Sequence, residues 1–266
     1  MANLTLKIPP EFQGKVKQAL LDMGFTERYV PHTLWSLTDG KTYLNLYKSG
    51  SLLFQGEKAQ ELFLLVSSLI DAPSRVMIGC DEAGKGELFG PLVLCCSVIK
   101  PEYYKKVLSV NPVDSKRLED QKLLKKVELL KEFVEHYCKV VEPLELNTLY
   151  EEVKNYNRIL DRLYGELLAP LFEKYADGEF YLDAYSFTNP FGSKVVFKTK
   201  GEENLAVAVA SMFARAKFLS WLYEKGLPKG NDLSLAREIP KDRAKELLKV
   251  FFLEGSGAEG RRKARS

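Results

Sequence analysis

The sequence predicts an α/β protein in which a helix-covered sheet follows a small α+β unit. Three observations predict it. Apolar residues recur at helical spacing over Pro9–Phe25 and Glu57–Ile70. Between these stretches, Thr33–Gly56 alternates apolar and polar residues, interrupted by the turn dipeptides Asp39-Gly40 and Ser49-Gly50. From Val76 onward the strand signals change character: "VMIGCD" (Val76–Asp81) and "PLVLCCSVI" (Pro91–Ile99) are nearly continuous apolar runs, as expected of strands covered on both faces.

The elements follow in order. Residues 1–70 form the α+β unit, a helix, two hairpin turns and a closing amphipathic helix, and Asp71–Arg75 reads as a linker. After the two apolar strands, Leu118–Tyr137 is a charged amphipathic helix and Tyr137–Leu144 a third strand. A mixed-polarity helical stretch covers Glu145–Lys174. Gly178–Ser186 and Ser193–Lys200 supply two more strands. Asn204–Gly226 is a long helix stopped by glycine, and Pro240–Phe252 a last helix with proline at its start. Residues 76–254 thus make one catalytic-size unit, and the Gly-rich basic tail 255–266 is expected to be disordered.

Composition narrows the function classes. The 266 residues carry a net charge of +3, so any nucleic-acid surface is a local feature. No membrane span and no secretory signal are expected. Cys80, Cys95, Cys96 and Cys138 lack zinc spacing; the expectation is buried thiols in a reducing, cytoplasmic setting.

The stretch "VMIGCDEAGKGELFGP" (Val76–Pro91) poses the chemical question. A dinucleotide cradle needs its glycines to open a helix, but Pro91 leads into another strand, and no Walker A sequence occurs. The acids Asp81 and Glu82 point instead to a cation. They converge if the chain bends immediately after Asp81, which Ala83-Gly84 would permit. An isolated pair would read as a turn cap plus a Glu82–Lys85 ion pair. The pair is not isolated, because "FYLDAY" sets Asp183 in an apolar strand where aspartate is depleted. Glu202 and Glu203 in "TKGEEN" are each candidates for a fourth carboxylate, or acids favoured at a helix N-terminus. Asp114 is a further acid or an N-cap. The only histidines are His32 and His136, away from these acids, so an all-carboxylate site suits Mg²⁺ or Mn²⁺ rather than zinc.

These residues resemble type 2 ribonuclease H, most closely the bacterial ribonuclease HIII branch. The resemblance rests on "DEAGKGELFGP" (Asp81–Pro91), "VDSKRL" (Val113–Leu118), "FYLDAYS" (Phe180–Ser186), "KTKGEENLAVAVASMFARAKFL" (Lys198–Leu219), "LPKGND" (Leu227–Asp232) and "YLNLYKSGSLLFQG" (Tyr43–Gly56). It implies an RNase H-like fold, a mixed five-stranded sheet flanked by helices, preceded by a small α+β TATA-box-binding-protein-like domain. It implies a monomer that hydrolyses the RNA strand of RNA–DNA hybrids with two Mg²⁺ or Mn²⁺ ions. The family's acidic cluster falls on Asp81, Glu82, Asp183 and, by motif position, Glu202, with Glu203 the alternative. Gly84-Lys85-Gly86 is closer to the "GRG" of ribonuclease HII than to the small hydroxyl residue usual in ribonuclease HIII. That departure opens DNA duplexes with embedded ribonucleotides as a second substrate.

Further substrate contacts are expected from Lys85, Lys116 and Arg117, the last two alternatively a solvated helix start. Ser211 and Arg215 lie four apart on one helix face, where they support the site, touch phosphate or snorkel. Tyr43, Tyr47, Lys48 and Phe54 mix aromatic and basic character, although an aromatic strand face is more often core. The competing classes are a non-catalytic nucleic-acid-binding relative and a junction resolvase of the same fold.

Overall fold

The computed structural model describes residues 3–112, 119–199, 201 and 204–253. The N-terminal unit is an antiparallel sheet of β1 (Leu4–Lys7), β2 (Thr26–Glu27), β3 (Thr33–Thr38), β4 (Thr42–Tyr47) and β5 (Ser51–Gly56), in the order β1-β5-β4-β3-β2. Helices α1 (Pro10–Asp22) and α2 (Ala59–Leu69) cover one face. Val16, Leu20, Leu62 and Val66 pack there against Leu44, Leu46, Leu52 and Phe54. The sheet fits a TATA-box-binding-protein-like unit.

The larger sheet runs β10-β9-β6-β7-β8, with β6 (Met77–Ala83), β7 (Leu92–Ile99), β8 (Glu135–Val141), β9 (Glu179–Asp183) and β10 (Val195–Lys198). β6, β7 and β8 are antiparallel neighbours, whereas β9 is parallel to both β6 and β10. This is the mixed sheet expected. On one face lie α3 (Tyr104–Val110), α4 (Asp120–Lys131) and α7 (Leu205–Lys225); on the other, α5 (Pro143–Val153) and α6 (Tyr156–Lys174). Two short helices close the C-terminal region, α8 (Leu233–Glu238) and α9 (Lys241–Leu247).

Helix α7 is the centre of the domain. Its apolar surface is buried nearly all round, and Gly79 of β6 lets it approach: a Cβ there would fall 2.1 Å from the Ala206 carbonyl carbon. An 18-residue window of α7 is apolar enough to cross a membrane by composition, yet 83% of that window is buried inside the protein. No such run was expected from the sequence; core burial on every side accounts for it.

Several element boundaries differ from expectation. The helix expected over Leu118–Tyr137 ends at Lys131, and β8 starts at Glu135, where pairing with β7 overrides the helical pattern. The stretch 145–174 is two helices, split by Lys154 in a left-handed conformation and Asn155, whose side chain caps α6. Helix α9 stops at Leu247, and the helix expected over Pro240–Phe252 is interrupted at Leu248–Val250, where Leu248 pairs with Phe89.

The cysteines are not thiols. Cys80–Cys96 and Cys95–Cys138 are disulfides. Register explains the pairing, since Cys80 lies opposite Cys96 and Cys95 opposite Cys138 on adjacent strands. One bridge lies on each face of the sheet, and the thiol-based argument for a reducing setting does not hold.

Candidate active site

The parallel pair β6 and β9 builds the site. Cys80 is level with Leu182, so the next residues, Asp81 within β6 and Asp183 at the end of β9, stand side by side. Alternation turns Asp81, like Met77 and Gly79, toward α7. Asp183 takes the same face as Tyr181 of its strand. The hydroxyl of Ser211 on α7 donates to the Asp81 carboxylate, and the Glu82 backbone N–H donates to Asp81 Oδ1 at 2.8 Å. Burial, followed by the charges of Glu82 and Asp183, raises the Asp81 carboxyl well above the ordinary range. These carboxylates are costly to ionise together without a counter-charge.

Glu82 corrects the expected bend. β6 stays paired with β7 through Ala83, opposite Val93, so strand alternation persists and Glu82 faces α6. There Tyr164 donates its hydroxyl to Glu82 Oε2 at 2.5 Å, and Lys85 Nζ lies 3.3 Å from Oε1. The Glu82–Lys85 ion pair named as the alternative is thus present, on the α6 side of the sheet. Tyr185 stacks on Tyr164, donates to Asp161, and receives the Lys85 ammonium 5.3 Å above its ring. Among the described residues, no three His, Cys, Asp or Glu side chains are grouped so that they could hold a metal ion.

Asp183 is bound from the other side. The Gly201 N–H donates to Asp183 Oδ1 at 2.7 Å, and a Cβ on Gly201 would stand 2.8 Å from the Asp183 Cα. The contact draws the segment after β10 against Asp183, so the chain reaches the acids just before Glu202 and Glu203. Those two residues, and Asp114, Lys116 and Arg117, lie outside the described residues. Downstream, Asn204 caps α7 by accepting from Ala206 and Val207.

The turn comes at Gly84 (φ +84°), where a side chain would meet the Pro91 carbonyl and the Phe218 ring. Gly86 has open space around its missing Cβ. Arg215 is not a free phosphate contact: it ion-pairs with Glu87. Tyr43 is exposed on β4 and Lys48 in the turn after it, with the Arg28 guanidinium 4.8 Å from the Tyr43 ring centre. Phe54 is core, and Tyr47 is half-buried. Missed by the sequence reading were Tyr164, Gly201, Asn231 and Lys249. A lysine inside the apolar run "LLKVFF" was the one local signal for the last.

Asp81 and Asp183 on two adjacent parallel strands, on a mixed sheet with a long buried helix behind, fit an enzyme of the type 2 ribonuclease H class. Residues 78–254 match the family model for Ribonuclease HII. Over 246 residues the chain is 40% identical to Ribonuclease HIII of Aquifex aeolicus (strain VF5), covering 92% of this chain and 93% of that protein. Ribonuclease HIII of Chlamydia pneumoniae is 26% identical over 280 residues, 91% and 94% of the two chains. Among solved structures, that of Aquifex aeolicus RNase H3 superposes with a TM-score of 0.61 at 38% identity, covering 93% of this chain and 99% of that one. Bst-RNase HIII in complex with Mn²⁺ superposes with a TM-score of 0.62 at 20% identity, covering 99% and 100%, a likeness of fold. The chain belongs to the ribonuclease HIII family.

Proposed function

We propose that this ribonuclease H cuts the RNA strand of RNA–DNA hybrids as an endonuclease, using two divalent ions, Mg²⁺ or Mn²⁺, and leaving 5′-phosphate and 3′-hydroxyl ends. The observation that carries the reading is the side-by-side placement of Asp81 and Asp183, with the Asp81 carboxyl raised by burial and then by its charged neighbours. An acid pair of this kind fits a hard cation and disfavours zinc, which prefers nitrogen and sulfur. Asp81 and Asp183 would hold the ions, with Glu82 and Glu202 completing the set. When bound, such ions supply a nucleophilic water and relieve charge on the leaving oxygen.

The chain's own groups do the rest. Ser211 and the Glu82 N–H orient Asp81, Gly201 orients Asp183, and Tyr164 orients Glu82. Lys85 neutralises part of the Glu82 charge, and its ammonium suits contact with phosphate. The RNA strand is distinguished by its 2′-hydroxyl, read across the shallow minor groove. The backbone at Gly84–Gly86 can approach that groove because Gly86 leaves room. Tyr43, Arg28 and Lys48 suit binding of the duplex by the N-terminal sheet. We also propose action on DNA duplexes with a single ribonucleotide, because of Lys85, and a cytoplasmic monomer.

Cleavage mapping tests this. The protein is given a continuous hybrid, a duplex with one ribonucleotide, and branched DNA, each with Mg²⁺ and with Mn²⁺. Metal-dependent cuts confined to RNA, with 5′-phosphate ends, support the reading. Cutting of branched DNA alone would indicate a resolvase, and no cutting a binding protein.

A further inference from the structure

The loop that follows the acids is held from behind by a buried lysine. Lys249 is 0% exposed. Its ammonium donates to the carbonyls of Glu87 at 2.8 Å, Gly90 at 2.6 Å and Phe89 at 3.4 Å, and its backbone N–H donates to Leu88 at 2.9 Å. The Gly90 N–H in turn donates to the Leu247 carbonyl. Among the described residues, no carboxylate forms an ion pair with the ammonium. The Glu87 side chain turns away to Arg215 and to the Gly230 N–H. An ammonium has three donors, and each finds a backbone acceptor on one short stretch of chain.

Asn231 grips the other side of the same loop. Its Oδ1 accepts from the Leu88 N–H at 2.6 Å, and its Nδ2 donates to the Gly86 carbonyl at 3.1 Å. Seven of the ten backbone N–H and C=O groups of Gly86 to Gly90 thus bond to groups that lie far off in sequence. Burying a charge is costly, and burial draws the Lys249 pKa down to about 7 although Glu87 opposes it. An apolar side chain would fill the same space without that cost. What it could not do is set three carbonyls in one geometry.

We propose that Lys249 and Asn231 are positioning residues for the reaction: together they clamp Glu87–Gly90 so that the Gly84–Gly86 backbone is presented to the ribose at the cut. The inference rests on the reading that this glycine stretch meets the 2′-hydroxyl. Lys249 is fully buried and has no surface to offer a substrate. Both act through the backbone of the loop, which begins at the strand end that carries Asp81 and Glu82.

The test compares wild type, Lys249→Met and Asn231→Ala on two short duplexes with Mn²⁺. One contains a single ribonucleotide. The other carries 2′-fluoro in place of that 2′-hydroxyl. The readout is the ratio of kcat/KM for the two substrates, with kcat and KM separated. In wild type the hydroxyl should be strongly preferred. In each variant the ratio should fall by about ten-fold or more, because a displaced loop no longer pairs with the hydroxyl. A purely structural role would lower both rates together and leave the ratio unchanged, and that result in a folded variant overturns the proposal. If Lys249→Met does not fold, Asn231→Ala, changed at an exposed position, decides it by the same criterion. If wild type itself ignores the 2′ group, the failure lies in the underlying reading of the glycine loop rather than in the clamp.

Discussion

The Tyr164 hydroxyl donates a 2.5 Å hydrogen bond to Glu82 Oε2 across the sheet from Asp81. The phenol is fully buried, and burial, then the nearby Glu82 and Asp81 charges, raise its pKa well above the ordinary value, so it remains a donor. Tyr164→Phe should therefore leave Glu82 unoriented. We expect a loss of about 1–2 kcal/mol in stability, and a rise of about ten-fold or more in the Mn²⁺ concentration that half-saturates the site. Calorimetric titration of metal into the folded variant checks this without relying on turnover. An unchanged midpoint would mean that Glu82 does not need its tyrosine.

Two glycines of one motif should respond oppositely. Gly84→Ala places a methyl 2.2 Å from the Pro91 carbonyl oxygen, at a left-handed φ of +84°. It should cost about 2–4 kcal/mol and lower the melting temperature. Gly86→Ala meets nothing within 4 Å in the free protein. Its stability should stay within about 0.5 kcal/mol of wild type, while hybrid cleavage falls. Thermal melts and initial rates on the pair separate the roles. Equal melting temperatures for the two would contradict the account of Gly84.

The disulfides give a chemical prediction. Loops of 16 and 43 residues are closed by Cys80–Cys96 and Cys95–Cys138. On a chain-entropy basis these constrain the unfolded state by about 3 and about 4 kcal/mol. Protein unfolded without reductant should show no reactive thiols, and reductant should lower the melting temperature. Four thiols in the unreduced denatured protein would refute the pairing.

Acid should weaken a surface joint on β8. Glu135 accepts from Lys100, Lys174 and Tyr175, and these hydrogen bonds draw its pKa from 4.5 down to about 2. The folded value lies below the unfolded one, so the contribution is fully present above the unfolded pKa and is lost as pH falls through the folded one. Melting temperature should drop over that window, and Glu135→Gln should flatten the drop. The site is largely solvated, so the effect is small. An identical pH profile in the variant would remove Glu135 from the account.

Asp81 and Asp183 were legible as candidates because they are acids where apolar strands should continue. Such residues declare themselves locally. What Glu82 faces was not legible, because it depends on β6 remaining paired as far as Ala83. The cysteine pairs needed the register of three strands, which no single stretch contains. Lys249 read as part of a helix. Only the bridge between Phe89 and Leu248, residues far apart in the chain, makes it a buried clamp. Glycine signals divided similarly: Gly84 was evident as a turn, whereas Gly201 matters through its 2.7 Å bond to an acid 18 residues away.

The central claim is that Asp183 and Asp81 hold the ions for hydrolysis, and one substitution tests it most directly. Asp183→Asn keeps the side chain's shape and can still accept from the Gly201 N–H. Cleavage of an RNA–DNA hybrid should be measured with Mg²⁺ and Mn²⁺, alongside the melting temperature and hybrid binding. The account predicts abolished cleavage with both metals, a fold that persists, and binding largely retained. Full metal-dependent cleavage by the folded Asp183→Asn protein would contradict it.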